Sequence, residues 1–328
     1  MKPIHVALIG LGTVGCGVYQ TLHIHKKRLE MQLGAPIHLS TVVIENPEKH
    51  QKIGAKTPIS TDISDILYNP EIDVVFEAIN GKEPAFTYLK QCIEAGKHVI
   101  TANKEMFAAH GNELKALAKL HDVQIGYDAT TAGGIPIIQS IRQLFKANQI
   151  KEVQAILNGT TNYILTEMRE NGLPFSTALK QAQKWGYAEA DPTNDIEGYD
   201  AFFKLMILSD LIFNKQPDPE HIKRTGITDV TAEAIQQAKH EGKRIKHIAS
   251  IKYDQTGNLT AEVELAAVPE RHPLYAVEGV DNAIHLKADI VGDITLTGPG
   301  AGAFPTASAM LEDFCMIVSQ KPAPLPIS

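Results

Sequence analysis

The stretch Gly10-Leu11-Gly12-Thr13-Val14-Gly15 constrains this chain more than any other. It follows a short, largely apolar and β-branched run over residues 4–9 and opens a helix-like stretch from Val14 towards Arg28. In the order strand, glycine turn, helix, each glycine has its own reason. Gly10 permits the tight turn, Gly12 lets a pyrophosphate approach the backbone without a Cβ in the way, and Gly15 allows close packing of helix on strand. The helix N-terminus adds amide donors and positive potential. A glycine triplet alone is weak evidence, but this flanking context makes it informative. It predicts a dinucleotide held at Gly10, Gly12, Thr13, Val14 and Gly15.

The alternation continues. Strands are expected over residues 37–44, 73–78 and 98–101, and helices over 84–95 and 106–121. Short apolar strands alternating with helices predict an α/β fold, a doubly wound parallel sheet covered on both faces. The pattern breaks at Thr130-Thr131-Ala132-Gly133-Gly134-Ile135-Pro136, where paired glycines and a proline suggest a domain crossing. Beyond it, strands are expected at 150–157, 247–253, 259–265 and 284–290, with helices between the first two, giving an α+β domain on a mixed sheet with helices on one side. Gly298-Pro299-Gly300-Ala301-Gly302 then introduces a last helix over 306–318. The expected division is 1–130 for the dinucleotide, 131–300 for substrate binding and dimerisation, and 301–328 for a helix returning to the first domain. The 328 residues exceed the usual size of a single core.

Composition narrows the partners. With 44% apolar and 21% charged residues the chain is expected to fold, and a net charge of -7 offers no general attraction for nucleic acid or anionic lipid. No uninterrupted apolar run reaches the ~20 residues of a membrane span, and the start Met1-Lys2-Pro3-Ile4-His5-Val6 enters a strand with no signal segment. Cys16, Cys92 and Cys315 are odd in number and far apart, which suits reduced thiols in small apolar niches rather than disulfides or zinc. Neither nucleic acid nor membrane is an expected partner, and the expected compartment is the cytoplasm.

An acidic residue closing the second strand normally bonds the adenosine ribose hydroxyls of NAD, whereas a nearby arginine accommodates the extra phosphate of NADP. Glu45 takes that position, about ten residues later than the usual spacing. The segment from Lys26 to Pro36 absorbs the difference as a longer helix and loop. NAD is therefore favoured over NADP, with Lys49 and Lys52 partly offsetting the carboxylate. The plain alternative is an exposed loop glutamate.

Three further stretches carry specific signal: Thr101-Ala102-Asn103-Lys104-Glu105, Asn158-Gly159-Thr160-Thr161-Asn162-Tyr163-Ile164-Leu165, and the run from Gly186-Tyr187-Ala188-Glu189-Ala190-Asp191-Pro192 through Asp200-Ala201-Phe202-Phe203-Lys204-Leu205. With the glycine turn, they resemble homoserine dehydrogenase over nearly the whole chain. The resemblance implies reversible NAD(P)-dependent reduction of L-aspartate 4-semialdehyde to L-homoserine, the branch-point step towards threonine and methionine. Hydride delivered to an aldehyde carbon leaves an alkoxide, so a cation or acid is needed at that oxygen, and Lys104 and Lys204 are natural candidates. Lys204 lies four residues after Asp200, on the same face if the segment is helical. An exposed i, i+4 ion pair is the plain alternative. The resemblance implies Lys204 as proton donor, Asp200 and Glu189 as holders of the substrate ammonium, and Lys104 between nicotinamide and substrate. The division of tasks between the lysines stays open.

By the same resemblance, the loop from Asp128 to Pro136 binds a monovalent cation, sodium or potassium, at Asp128, Thr131, Gly133 and Ile135. Asp128 departs from the family's usual glutamate. Asn80 and Gly302 are implied as further cofactor contacts, Gly302 at the nicotinamide end. Glu45-Asn46 departs from the arginine and aspartate of many relatives, which counts against an NADP preference and leaves NAD or NADP as the cofactor with NAD favoured. The ending at Ser328 leaves no room for the regulatory domain of longer relatives, and a homodimer through the mixed sheet is implied. The acidic cluster Glu189, Asp191, Asp195, Glu197 and Asp200 could be read as a divalent metal site, but no step here requires one and histidine is absent from it. Two other readings compete: a related two-domain dehydrogenase acting on a different substrate, against which the third motif argues, and a dinucleotide sensor without catalysis, which has no need of Lys104, Asp200 and Lys204.

Overall fold

The computed structural model describes residues 2–50 and 57–319. The chain divides into two units, Met1–Thr130 with Gly302–Ser328 and the contiguous Thr131–Ala301.

In the first unit, strands β1 (Ile4–Ile9), β2 (Ile37–Val43), β3 (Ile59–Ser60), β4 (Ile72–Glu77), β5 (His98–Thr101) and β6 (Ile125–Gly126) form one parallel sheet in the order β3-β2-β1-β4-β5-β6. This is the doubly wound order whose reversal beside β1 opens a crevice at the carboxyl ends of the strands. Helices α1 (Thr13–Ile24), α2 (Lys26–Leu33), α3 (Ser64–Leu67), α4 (Ala85–Glu94) and α5 (Lys104–Leu120) connect the strands. The single helix expected from Val14 towards Arg28 is instead two, broken at His25, and α2 stops at Gly34 in the left-handed region (φ 67°). The short β3 and β6 carry too few residues for a periodic signal.

The core of this unit joins Val6, Leu8, Val42, Val74, Phe76 and Ile100 from the strands to Met310 and Phe314 from the last helix. The Phe76 and Phe314 rings lie 5.6 Å apart. Truncating the fully buried Phe314 to alanine should cost about 3–5 kcal/mol.

In the second unit, helices α6 (Ile137–Leu144), α7 (Gly159–Glu170), α8 (Phe175–Trp185), α9 (Thr193–Ile196), α10 (Tyr199–Phe213) and α11 (Ala232–His240) accompany a sheet of β7 (Ile150–Ile156), β8 (Lys223–Arg224), β9 (Lys243–Tyr253), β10 (Leu259–Pro269), β11 (Asp281–Ala288) and β12 (Asp293–Pro299). The order is β12-β11-β7-β9-β10-β8, antiparallel except for β8 along β10. Period-two alternation gives one face Val153, Ala155, Ala249, Ile251, Val263, Ile284 and Leu286, all buried. Ile164, Leu165, Ala178, Ala182 and Ile235 from the helices form a core with Ile245 and Leu265 of that face. Ile156, Ile248 and Ala283 of the opposite face pack with Leu274 and Val277.

The strand expected over 284–290 begins earlier and ends at Ala288, because the Ala288 amide bonds the Gly292 carbonyl and Gly292 (φ 79°) turns the chain into β12. Part of the loop expected at Gly298–Gly302 is therefore strand. The final helix, α12 (Ala303–Ser319), groups with the first unit. A Cβ at Gly17 on α1 would lie 2.3 Å from the Ala303 carbonyl oxygen, so a glycine there lets α1 and α12 meet backbone to backbone. Among the described residues no helix is long and apolar enough to cross a membrane.

Candidate active site

In the first unit the Gly10 amide bonds the Val43 carbonyl (2.9 Å), tying the glycine turn to the end of β2. Gly10 has φ 93°, and a Cβ on it would lie 2.7 Å from the Ala78 carbonyl oxygen. A Cβ on Gly15 would fall 2.0 Å from the Gly10 carbonyl oxygen, so Gly15 closes onto the turn itself rather than onto the strand. Gly12, the N-cap of α1, is exposed, and a Cβ there would meet nothing within 4 Å. Thr13 beside it is exposed and Val14 half-buried. An open helix N-terminus above a turn that admits only glycine fits a pyrophosphate.

Glu45 is exposed just beyond β2, and Asn80 is exposed beyond β4. Lys52, like the side chain of Lys49, lies outside the described residues. Lys104 is not in a loop: it is the half-buried first residue of α5, because the Asn103 side chain caps the helix by accepting from the Met106 amide (3.0 Å). Gly302 is exposed at φ 118°, and its carbonyl accepts the Thr306 amide at the start of α12.

In the second unit α10 places Asp200 and Lys204 one turn apart, 4% and 6% exposed, on a helix whose neighbours Ala201, Leu205 and Leu208 are also buried. The Lys204 ammonium donates to Asp200 Oδ2 and to the Leu157 carbonyl, each at 2.7 Å. The pair is thus not the exposed ion pair of the plain alternative. Asn158 completes it: its Nδ2 donates to Asp200 (2.9 Å) and Asp195 (2.7 Å), while its Oδ1 caps α7 by accepting from the Thr161 amide (2.8 Å). A charge buried this deeply is sustained only when hydrogen bonds fill its remaining donors and acceptors. Gly198, the N-cap of α10, has φ 79° and lies against His247, whose burial holds its imidazole below the usual histidine range.

Glu189 is placed differently. It is exposed between α8 and α9, its backbone carbonyl accepting from Gln183, and no hydrogen bond joins its carboxylate to Asp200 or Lys204. The proposed cation residues divide at the unit boundary. Asp128 is buried in the first unit with its amide on Asp313 (2.8 Å), and Thr131, Gly133 and Ile135 are buried in the second. Gly133 (φ 54°) abuts the Gly300 backbone, and the Gly134 amide bonds the Pro299 carbonyl. Among the described residues, no group of three or more histidine, cysteine, aspartate or glutamate side chains could hold a metal ion. The cysteines carry no disulfide; burial pushes the Cys92 thiol up to about 12 and the Cys315 thiol to about 11.

Sequence reasoning placed Asn158 in a signal-bearing stretch but gave it no role, and it passed over the Leu157 carbonyl. An asparagine directly before Gly-Thr-Thr is an N-cap signal for α7, but the aspartates it reaches lie 37 and 42 residues away. Buried Glu77, joined to Thr101, was also missed, since a lone glutamate ending a strand has no periodic signature.

A doubly wound sheet with a glycine turn open to a pyrophosphate, in a chain that also holds a buried lysine–aspartate pair, fits a nicotinamide-dependent oxidoreductase. The sequence profile described as "Homoserine dehydrogenase" matches residues 136–315, and that described as "Homoserine dehydrogenase, NAD binding domain" matches residues 10–128. The chain is similar to the homoserine dehydrogenase of Bacillus subtilis, with 38% identity over 97% of this chain and 73% of that protein. It superposes on the crystal structure of a homoserine dehydrogenase from Thiobacillus denitrificans with a TM-score of 0.92 and 40% identity, covering 97% of this chain and 74% of that one. A hyperthermophilic archaeal homoserine dehydrogenase in complex with NADPH shares the fold, with a TM-score of 0.83 at 24% identity over 98% and 99% of the two chains. The chain belongs to the homoserine dehydrogenase family. Its reaction is the reversible NAD(P)-dependent reduction of L-aspartate 4-semialdehyde to L-homoserine, towards threonine and methionine.

Proposed function

We propose that Lys204 is the proton donor of this reaction, an assignment carried by its burial against Asp200 and the Leu157 carbonyl. The nicotinamide, when bound, supplies the hydride. As the aldehyde carbon accepts it, the carbonyl oxygen gains charge and takes a proton from the Lys204 ammonium; the neutral amine then recovers one from water. Asp200 holds the lysine in place and, with Glu189, faces the substrate ammonium. Asn158 keeps the Asp200 carboxylate oriented. Lys104 binds the substrate carboxylate or polarises the carbonyl, and the Thr131–Ala301 unit supplies substrate binding. Lys204→Ala and Lys104→Ala, assayed separately for homoserine oxidation, test this: normal turnover in Lys204→Ala removes that residue from the chemistry.

Gly10, Gly12, Thr13, Val14 and Gly15 hold the pyrophosphate, Glu45 the adenosine ribose, and Asn80, Lys104 and Gly302 the nicotinamide side. NAD is the preferred cofactor because an exposed carboxylate beside the glycine turn repels a 2'-phosphate. Sodium or potassium binds through oxygens of Asp128, Thr131, Gly133 and Ile135. Activity indifferent to both ions refutes that site. The enzyme is a homodimer through the mixed sheet, tested by its mass in solution, and works in the cytoplasm, where free cysteines and a nicotinamide pool belong.

A further inference from the structure

Glu77 ends β4 with its side chain fully buried, opposite Ile9 on β1 and Thr101 on β5. Its carboxylate accepts the Ile79 amide (2.8 Å) and the Thr101 hydroxyl. Thr101 Oγ1 in turn accepts the Asn103 amide (2.9 Å). The Asn103 side chain donates to the carbonyls of Ile79 (3.0 Å) and Gly81 (2.7 Å), on either side of Asn80, while its Oδ1 caps the helix that Lys104 begins. One buried carboxylate therefore joins the turn that carries Asn80 to the helix start that carries Lys104.

The wiring depends on charge. An ionised carboxylate accepts from both the amide and the hydroxyl. A protonated one presents its own hydrogen to an oxygen that already receives the Asn103 amide, leaving the Thr101 hydrogen without its acceptor. Among the described residues no charged partner compensates: neither Ile9 nor Thr101 titrates. Lys104 and Glu105 open α5 nearby, and Asp313 on α12, which packs against β5, accepts the Asp128 amide.

We propose that Glu77 is a positioning residue for the reaction: its ionised carboxylate clamps the Asn80 turn to the helix start at Lys104, and protonation loosens the cofactor side of the site. This rests on the reading that Asn80 and Lys104 meet the dinucleotide. Burial lifts the Glu77 carboxyl to about 7 against the hydrogen bonds from Thr101, Ile79 and Asn103, so the loosening falls in a range where the enzyme can be assayed.

The test is calorimetric dinucleotide binding to the full chain over about pH 6 to 9, with dinucleotide KM and kcat for homoserine oxidation measured separately at about pH 8. Wild-type affinity for the dinucleotide should fall on the acid side with a midpoint near 7. Glu77→Gln should lose that acid limb and show, at about pH 8, a dinucleotide KM raised about tenfold with a smaller loss in kcat. Glu77→Asp, which keeps the charge, should keep the limb. Thr101→Val, which removes a hydrogen bond favouring the ionised form, should move the limb to higher pH, and decides the matter if Glu77→Gln does not fold. An intact acid limb in Glu77→Gln, an unchanged dinucleotide KM, or an unmoved limb in Thr101→Val overturns the proposal. Unchanged dinucleotide KM in both Asn80→Ala and Lys104→Ala would instead sink the underlying cofactor reading, whatever Glu77→Gln does.

Discussion

The Asp200 and Lys204 pair offers the sharpest quantitative test, because both charges are nearly dry and 2.7 Å apart. At an effective dielectric of about 20, that separation corresponds to a gross attraction of about 6 kcal/mol, most of it offset by the desolvation of both ions. The net value of the pair is therefore small, while the cost of breaking it is large. Asp200→Asn keeps the shape and leaves the ammonium with the Leu157 carbonyl but without its carboxylate, which should destabilise the chain by about 3–5 kcal/mol. Lys204→Met strands the opposite charge, which keeps its hydrogen bond from Asn158 and should lose somewhat less. The double variant, with neither charge, should be more stable than Asp200→Asn alone, giving a coupling of about 2 kcal/mol or more. Denaturant unfolding of the four proteins supplies the cycle, and homoserine turnover of each separates stability from chemistry: both variants lacking Lys204 should lose about a hundredfold or more in kcat. An Asp200→Asn penalty below about 1 kcal/mol, or additive single effects, would show that the pair is solvated and that the argument from burial is wrong.

Gly15→Ala places a Cβ on the Gly10 carbonyl and should abolish dinucleotide binding in a calorimetric titration. Glu45→Ala should shift the ratio of kcat/KM for NAD over NADP towards NADP by about tenfold, and an unchanged ratio would mean the carboxylate reads no ribose. Gly300→Ala drives a Cβ to within 2.0 Å of the buried Asn282 side chain and should lower stability by about 2 kcal/mol or more, with partial recovery in the Gly300→Ala, Asn282→Ala double variant. The Glu77 carboxyl is raised from an ordinary 4.5 to about 7 in the folded chain, so the folded state holds a proton that the unfolded state releases. Its contribution to stability is present below 4.5 and is lost as pH rises through about 7, by up to about 3 kcal/mol. Unfolding curves across that window should be flatter in Glu77→Gln than in the wild type.

The first unit was largely legible because each of its main strands is a short apolar run ended by a turn signal. The glycines of the motif marked a turn at the end of β1, and Gly15 closes onto that turn rather than onto the strand. What escaped was short or long-range. β3, β6 and β8 hold two residues each, too few for alternation, and β12 was obscured by the glycines that end it. Asp200 and Lys204 were readable at i, i+4, but whether such a pair is wet or buried depends on the strand end that meets it, and Leu157 lies 47 residues before Lys204. Glu189 was brought in by resemblance, and its exposure could not be read from its neighbours.

The route of the chain has a consequence for how the protein is made. The second unit is a single uninterrupted segment, while the first is closed by α12, which supplies Phe314 against Phe76 and the Asp313 carboxylate for the Asp128 amide. During synthesis, the unit that starts first must wait for α12, whereas every residue of the second unit is made before it. A chain truncated after residue 301 and released from the ribosome should carry a protease-resistant second unit and a first unit still open to cleavage; equal resistance of both would contradict this order. Dinucleotide binding therefore depends on a segment made after the whole second unit, and a product lacking α12 should have no stable grip on the cofactor.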